Sequence, residues 1–142
     1  MTCIFCQLRN KQDITFVKDF GNWVFRLNLS QFLPGASVLV HKEHKEGFTS
    51  LCEEELIEAF RILKRIESAL QQAFHPDWFN YMQTNNSVRH FHFHIIPRYK
   101  NEVSFEGESF VDEQFKGLPK ESNRVLSEKV MKRLIDRITR FL

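Results

Sequence analysis

The stretch HFHFHII, residues 90–96, alternates imidazole and apolar side chains without interruption. A period of two is that of a β-strand, whose successive side chains point to opposite faces of a sheet. Three imidazoles therefore share one face, and Phe91, Phe93 and Ile95 share the other, which predicts a core face and a chemical face. Alternate positions stand about 7 Å apart, from a rise of roughly 3.3 Å per residue, a spacing that suits one phosphate or one metal ion.

The three imidazoles, His90, His92 and His94, admit more than one interpretation. A single histidine in a strand is usually structural. Three in alternation are unfavourable as core residues, because each buried imidazole costs free energy unless its ring nitrogens find hydrogen-bond partners. A metal site built from three histidines could activate water, although such a site commonly takes its ligands from more than one strand. A structural role, a metal site and a phosphate site all remain open on spacing alone.

Other β-rich runs lie on both sides of this strand, separated by turn residues. A Gly21-Asn22 turn divides the first of them into two strands. The runs are residues 14–28, 36–40, 79–84 and 88–98, the last two joined by a turn at 85–87. The sequence thus predicts about five strands connected mostly by short turns.

Two helices are predicted from apolar spacing. Ser50 with Glu53 resembles a capping box, and the helix that follows should end before His75-Pro76, because proline lacks the backbone donor. Its expected apolar face comprises Leu56, Phe60, Leu63, Ile66 and Leu70. Apolar residues show no clear period over residues 101–120, which predicts a surface loop. Their helical spacing over residues 121–142 predicts a C-terminal helix. The combination indicates an α+β fold in which helices cover an antiparallel sheet.

Length and composition bound the class of protein. At 142 residues the chain fits a single domain, residues 1–142, with a core over about 3–100 and a C-terminal loop and helix over 101–142. A net charge of +2, from 20 basic and 18 acidic residues, does not support a nucleic-acid-binding surface. No signal-peptide pattern or membrane-length apolar run is seen, so we expect a cytoplasmic protein that does not bind membranes.

A family resemblance rests on four motifs: HFHFHIIPR, the preceding Asn-Ser-Val, CIFC at residues 3–6 and PGASVLVHKEH at residues 34–44. Together they resemble the histidine triad (HIT) family over about residues 3–100. From Lys100 onward the chain resembles bacterial members of the family described as hydrolases of diadenosine polyphosphates. The resemblance implies a HIT-like fold, a nucleotide substrate and a homodimer, with no organic cofactor.

The resemblance also implies the catalytic roles. His92 corresponds to the nucleophile that attacks the α-phosphate of adenosine-phosphate-X and briefly carries the nucleotidyl group, as neutral imidazole can near pH 7. Its other ring nitrogen should donate to a backbone carbonyl near His90. His94 should contact the phosphate, and His90 should support the leaving group or hold the architecture. A nucleotide-binding regulatory protein with little turnover, or a metal-dependent hydrolase, remains an alternative.

Nucleotide contacts follow from the same resemblance. Asn28 matches a position that binds ribose hydroxyls, although it could simply form a turn. Ile4, Phe5 and Leu8 match apolar residues that wall the base, although Leu8 could equally be ordinary core. Donors for the phosphate are expected from Gln83, Asn86 and Ser87.

A zinc site is implied as well. The C-x-x-C of Cys3 and Cys6 is weak evidence alone, and a reduced pair without metal is an alternative. In one branch of the family such a pair joins two histidines, which correspond here to His44 and His90, in a structural tetrahedral site. His41 competes with His44 for that role. The chain departs from many relatives at Ala36, where they have histidine, which leaves the substrate preference and the leaving group open.

Overall fold

The structure of the chain, a computed structural model that describes residues 2–142, contains seven strands among those residues. They are β1 (Phe16–Asp19), β2 (Trp23–Leu27), β3 (Ser37–His41), β4 (Trp78–Met82), β5 (His92–Arg98), β6 (Val103–Phe105) and β7 (Glu108–Phe110). The first five form one antiparallel sheet in the order β1-β2-β3-β5-β4, and the last two form a hairpin. The helices are α1 (Ile4–Leu8), α2 (Glu53–Phe74) and α3 (Glu128–Thr139). The predicted α+β class is confirmed.

One face of the sheet is the main hydrophobic core. Phe93 lies opposite Leu39, which in turn lies opposite Phe25, and all three side chains are buried. They belong to one cluster with Phe91 and Ile95 and with the inner faces of α2 and α3. Burying each such side chain contributes roughly 1.5–3 kcal/mol. This packing fixes the register of β5 and therefore sends His92 and His94 to the opposite face.

Strand β5 begins later than predicted, at His92 instead of residue 88. The backbone of Phe91 lies beyond the pairing with β4. It accepts from the N–H of His41, the last residue of β3, at 3.1 Å, and it donates to the carbonyl of Lys45, after β3, at 2.5 Å. The alternation of faces nevertheless continues, since Phe91 enters the core and His90 does not. The side chains therefore alternate between the two faces at residues 90 and 91 as well, although β5 begins only at His92.

Helix α2 differs from the prediction at its start and on its inner face. Its N-cap is Cys52, whose N–H donates to the Glu55 carboxylate at 2.9 Å. Ser50 instead ends a 3-10 turn and donates to the Gly47 carbonyl, so the capping box predicted for Ser50 is wrong. Phe60 is 57% exposed, and smaller side chains form the buried face of the helix. These are Ala59, Ile62, Ile66, Ala69, Leu70 and Ala73.

The region after β5 is more ordered than predicted. The hairpin β6–β7 lies inside the expected loop 101–120, and Phe105 and Phe110 are buried in the core. Helix α3 is shorter than the range 121–142, because the Ser127 side chain caps it by accepting from the N–H of Val130. Nowhere in residues 2–142 is there a helix with both the length and the apolarity to cross a lipid bilayer.

Candidate functional site

The imidazole of His92 lies on the face of the sheet opposite the core, and it is 4% exposed. Its Nδ1 lies 2.6 Å from the carbonyl oxygen of His90. Because a carbonyl oxygen only accepts, Nδ1 carries the proton and donates it. The lone pair is therefore on Nε2, which faces Nε2 of His94 at 3.1 Å.

Burial controls the protonation of this pair. Loss of solvation lowers the pKa of His92, and it lowers the pKa of His94 to about 4, with the nearby His92 adding to the effect. Both rings are thus neutral near pH 7. If His94 Nε2–H donates to His92, its Nδ1 is left as a buried acceptor with no partner among residues 2–142. A neutral nucleophilic nitrogen is thereby held beside a second imidazole that a ligand can engage.

A cleft of about 640 Å³ begins at His94 and extends along β2 toward the N-terminal helix. That volume is within the usual range for small-molecule sites. Ile4, Phe5 and Leu8 form an apolar wall, and Asn28 lines the cleft with them. That these four residues contact a nucleotide stays a prediction. The cleft also contains side chains for which the sequence predicted no role. These are Asp13, Ile14, Thr15, Arg26, Leu27, Leu29, Ser30, Val38 and Glu121.

The predicted phosphate donors lie elsewhere, on the loop between β4 and β5. Gln83 is half-buried, Asn86 and Ser87 are exposed, and none of the three lines the cleft. The loop is held by Asn85, which has a left-handed backbone (φ 50°) and donates from Nδ2 to the Glu46 carbonyl at 2.5 Å. Asn85 belongs to the predicted turn at 85–87, and no local sequence pattern indicates this anchoring contact with Glu46.

Four potential metal ligands converge beside the triad. One ligand atom each from Cys3, Cys6, His44 and His90 lies within 4.8 Å of the others. Sγ of Cys3 is 3.3 Å from Nδ1 of His90, and Sγ of Cys6 is 3.4 Å from Nδ1 of His44 and 3.6 Å from Nδ1 of His90. Tetrahedral zinc with its normal bond lengths separates sulfur and nitrogen ligands by about 3.5 Å. The donor set and its spacing therefore fit zinc.

Outer contacts orient the two imidazoles of this cluster. His90 Nε2–H donates to the His41 carbonyl at 2.5 Å, which leaves Nδ1 free to face the thiols. Nε2 of His44 lies 3.5 Å from the Glu46 carboxylate. Such partners are typical around metal-binding histidines. The side chain of His41 instead bonds through Nε2 to Glu55 at 3.1 Å, so the structure brings His44 into the cluster and leaves His41 out.

His90 connects the two sites. Its side chain belongs to the Cys/His cluster, and its carbonyl holds Nδ1–H of His92. Both of its ring nitrogens are engaged away from His94, so the three triad imidazoles do not converge on one point. A metal site made from all three histidines is not favoured by this arrangement.

Ala36 is fully buried and belongs to a second apolar cluster with Ile96 and Tyr99. Its carbonyl accepts from the N–H of Asn28 at 2.9 Å and from the side chain of Gln31 at 2.7 Å. Ala36 thus helps to shape the loop that carries Asn28.

Comparison with known proteins gives consistent matches. A family model described as HIT domain matches residues 9–101. "Protein hit" of Bacillus subtilis (strain 168) is 31% identical over 104 residues, 68% of this chain and 71% of that protein. "Adenosine 5'-monophosphoramidase hnt1" of Schizosaccharomyces pombe is 29% identical over 105 residues, 69% of this chain and 75% of that protein.

Two solved structures share the fold. A Hit-like protein involved in cell-cycle regulation from Bartonella henselae superposes with a TM-score of 0.77 at 20% identity, covering 99% of this chain and 96% of its own. A Zn-bound histidine triad family protein from Mycobacterium smegmatis gives 0.66 at 19% identity, covering 97% and 96%. The structural likeness establishes the fold, and the sequence matches over most of the chain show that this protein belongs to the HIT domain family.

Proposed function

We propose that this chain is a nucleotide hydrolase or nucleotidyltransferase that cleaves adenosine-phosphate-X at the α-phosphate through His92. The observation that carries the proposal is the hydrogen bond from His92 Nδ1 to the His90 carbonyl, which leaves Nε2 as a neutral nucleophile. Substrates of this form include dinucleoside polyphosphates and nucleoside phosphoramidates. A related yeast protein is named as an adenosine 5'-monophosphoramidase, which supports this class of substrate.

In the first step the Nε2 lone pair of His92 forms a bond to the α-phosphorus. The bond from phosphorus to X breaks, and X leaves with the electron pair and takes up a proton from water. The imidazole becomes positive as it attacks, and its Nδ1–H donation to the His90 carbonyl stabilises that charge. His94, released from its contact with His92, donates from Nε2 to a phosphate oxygen.

In the second step water attacks the phosphorus of the nucleotidyl-histidine. The phosphorus–nitrogen bond breaks, its electron pair returns to Nε2, and the proton of the water passes to solvent. Nucleoside monophosphate is released and neutral His92 is restored. Splitting one difficult displacement into two is the usual advantage of covalent catalysis.

Nucleotide binding is assigned to the cleft and to the neighbouring loop. Ile4 and Phe5 contact the base, and Asn28 binds the ribose hydroxyls. Gln83, Asn86 and Ser87 have no side-chain hydrogen bond within the described part of the chain, which leaves their donors available for phosphate oxygens. Both ring nitrogens of His90 are engaged, so we assign it an architectural role and no contact with the leaving group.

The Cys/His cluster is proposed to bind structural zinc through Cys3, Cys6, His44 and His90. When bound, zinc supplies a cross-link from the N-terminal segment to the start of β5. The proposed location is the cytoplasm, whose reducing conditions keep cysteines as thiols.

A homodimer is also proposed. Strand β4 is an edge of the sheet and exposes Trp78 (66%) and Tyr81 (39%), and α2 exposes Ile57 and Phe60. An unpaired edge strand beside apolar side chains is suited to a self-complementary interface. Sedimentation of the wild type should give a dimer, and Phe60→Asp should shift it toward monomer; a wild type that sediments only as monomer contradicts the proposal.

The nucleophile is tested by intact-protein mass spectrometry after mixing the protein with diadenosine tetraphosphate or adenosine phosphoramidate, while AMP is followed. The wild type should release AMP and show a transient adenylate adduct. His92→Asn, which keeps a donor toward the His90 carbonyl but offers no nucleophile, should show neither. His75→Asn, which removes an exposed imidazole at the end of α2, should behave as the wild type.

Two other outcomes would select the alternatives. Tight AMP binding without turnover of either substrate would indicate a regulatory nucleotide-binding protein. Loss of activity in chelator, with rapid return on adding metal and with no adduct on His92 at any time, would indicate a metal-dependent hydrolase that uses the triad histidines as ligands.

A further inference from the structure

The polar side chains that line the cleft divide into engaged and free groups. Within residues 2–142 four of them already have hydrogen-bond partners: Asp13, Thr15, Arg26 and Ser30. Arg26 is the one cation among the lining residues, and its guanidinium is occupied by Asp13, Thr15 and the backbone carbonyls of Leu8 and Lys11.

Asn28 and Glu121 have no side-chain hydrogen bond or ion pair in that described part of the chain, and His94 keeps one ring nitrogen free. The cleft therefore offers three unengaged polar groups to a ligand. His94 and Asn28 are assigned above to the phosphate and the ribose, which leaves Glu121 for the base.

Glu121 is held at the rim of the cleft through the residues that follow it. Ser30 donates to the carbonyl of Ser122 and accepts from the N–H of Arg124, the latter at 2.8 Å. Gln31 N–H donates to the Arg124 carbonyl at 2.9 Å. The segment that carries Glu121 is thus fastened to the loop immediately after Asn28.

The Arg124 side chain anchors the same segment to the β6–β7 hairpin. Its guanidinium lies 4.0 Å from the ring centre of Phe110 and 2.9 Å from the Glu108 carboxylate. The side chain of Glu121 is exposed, but the chain directly after it is fixed, because the carbonyl of Ser122 accepts from Ser30. A carboxylate is therefore presented at the cleft by tertiary structure instead of by a free tail.

The chemistry of a carboxylate restricts what it can recognise. An ionised carboxylate accepts hydrogen bonds and does not donate them. Adenine presents an exocyclic amine, which donates, whereas its deaminated counterpart hypoxanthine presents a carbonyl oxygen at that position. Two acceptors facing each other repel, so the carboxylate would discriminate between the two bases.

We propose that Glu121 is a specificity-determining residue of the nucleotide cleft, accepting a hydrogen bond from the exocyclic amine of adenine. This inference rests on the nucleotide-binding role proposed above for the cleft, but not on covalent catalysis by His92. It predicts a preference for adenosine over inosine nucleotides. It also assigns a function to the C-terminal segment, beyond the region that the HIT model matches.

The test is calorimetric binding of AMP and IMP to the full-length protein, which needs no turnover. Because Glu121 is exposed, the wild type should bind AMP only about tenfold more tightly than IMP, at the low end for a hydrogen bond to a charged group. Glu121→Gln should bring the ratio to about threefold or less, mainly by improving IMP binding, because the glutamine amide can both donate and accept. Glu106→Gln, an exposed glutamate in the β6–β7 turn, should keep the wild-type ratio.

A gain in IMP affinity is a result that damage to the fold cannot produce. Equal affinities for AMP and IMP in the wild type, with AMP binding that Asn28→Ala weakens, would overturn the role of Glu121 and leave the cleft assignment in place. Failure of the wild type to bind either nucleotide would overturn both assignments. Binding with the expected ratios, but without an adduct on His92, would support Glu121 and contradict only the catalytic proposal.

Discussion

The low pKa of His94 makes the stability of the protein depend on pH in a calculable way. Burial, with His92 nearby, lowers this pKa to about 4, whereas an unfolded histidine titrates near pH 6.5. Protons therefore bind more tightly to the unfolded chain. Above pH 6.5 this group does not change the free energy of unfolding. As the pH falls below 6.5 the free energy of unfolding decreases, and the decrease ends below the folded pKa.

At pH 5 the linkage between these two pKa values amounts to about 2 kcal/mol of lost folding free energy. The perturbation that isolates this contribution is His94→Gln, which keeps a polar side chain but cannot titrate. The free energy of unfolding of both proteins is measured with urea at pH 7.5 and pH 5.0, with the same metal content. For each protein, the drop between the two pH values is its loss of stability. The wild-type loss should exceed the loss of the variant by about 2 kcal/mol.

The comparison of losses cancels any effect of the substitution that does not depend on pH. His75→Asn supplies the control, because it removes an exposed imidazole and should leave the loss as in the wild type. If the wild type and His94→Gln lose the same free energy of unfolding within about 0.5 kcal/mol, burial does not hold His94 neutral at pH 5, and the protonation state described for the site is wrong.

Further predictions concern the fold and the Cys/His cluster. Gly35→Ala should cost about 1–3 kcal/mol in thermal unfolding, because Gly35 has φ +89° and a Cβ there would lie 3.0 Å from Leu70; an unchanged Tm would contradict this. Asp112→Asn should cost about 3–5 kcal/mol in urea unfolding, because it leaves the buried guanidinium of Arg98 without its carboxylate partner, and a wild-type midpoint would refute that. Cys3→Ser should lower the zinc retained after dialysis, measured by atomic emission, and equal retention would remove Cys3 from the ligand set.

The sequence was informative where a local pattern has one geometric consequence. Alternation along residues 90–96 was sufficient to assign Phe91, Phe93 and Ile95 to the core and the histidines to the other face. The end of α2 was equally readable, since His75 adopts a left-handed cap (φ 51°) directly before Pro76. Both inferences depend on backbone sterics that neighbouring residues alone determine.

Structural features that depend on contacts between residues far apart in the sequence could not be predicted in this way. The β6–β7 hairpin has strands of three residues, too short for a period to show, and tertiary burial of Phe105 and Phe110 stabilises it. Phe60 fits the helical spacing of a core residue, yet its side chain is exposed, and the buried face of α2 includes Ala59, Ala69 and Ala73. The segment that carries Glu121 is held at the cleft by hydrogen bonds between Ser30 and the backbone of Ser122 and Arg124, more than ninety residues away, which no local pattern could indicate.

His90 explains why the Cys/His cluster and the triad adjoin each other. Its side chain contributes Nδ1 to the cluster, while its Nε2–H is fixed on the His41 carbonyl, so the ring can neither rotate nor exchange tautomers without losing both contacts. Its backbone carbonyl, 2.6 Å from His92 Nδ1, determines which nitrogen of His92 carries the lone pair. A ligand that rigidifies the Cys/His cluster would therefore also fix the tautomer of His92, the proposed nucleophile. The ligand itself would take no part in the chemical steps. This places the contribution of the cluster in preorganisation, acting through the one residue that the two sites share.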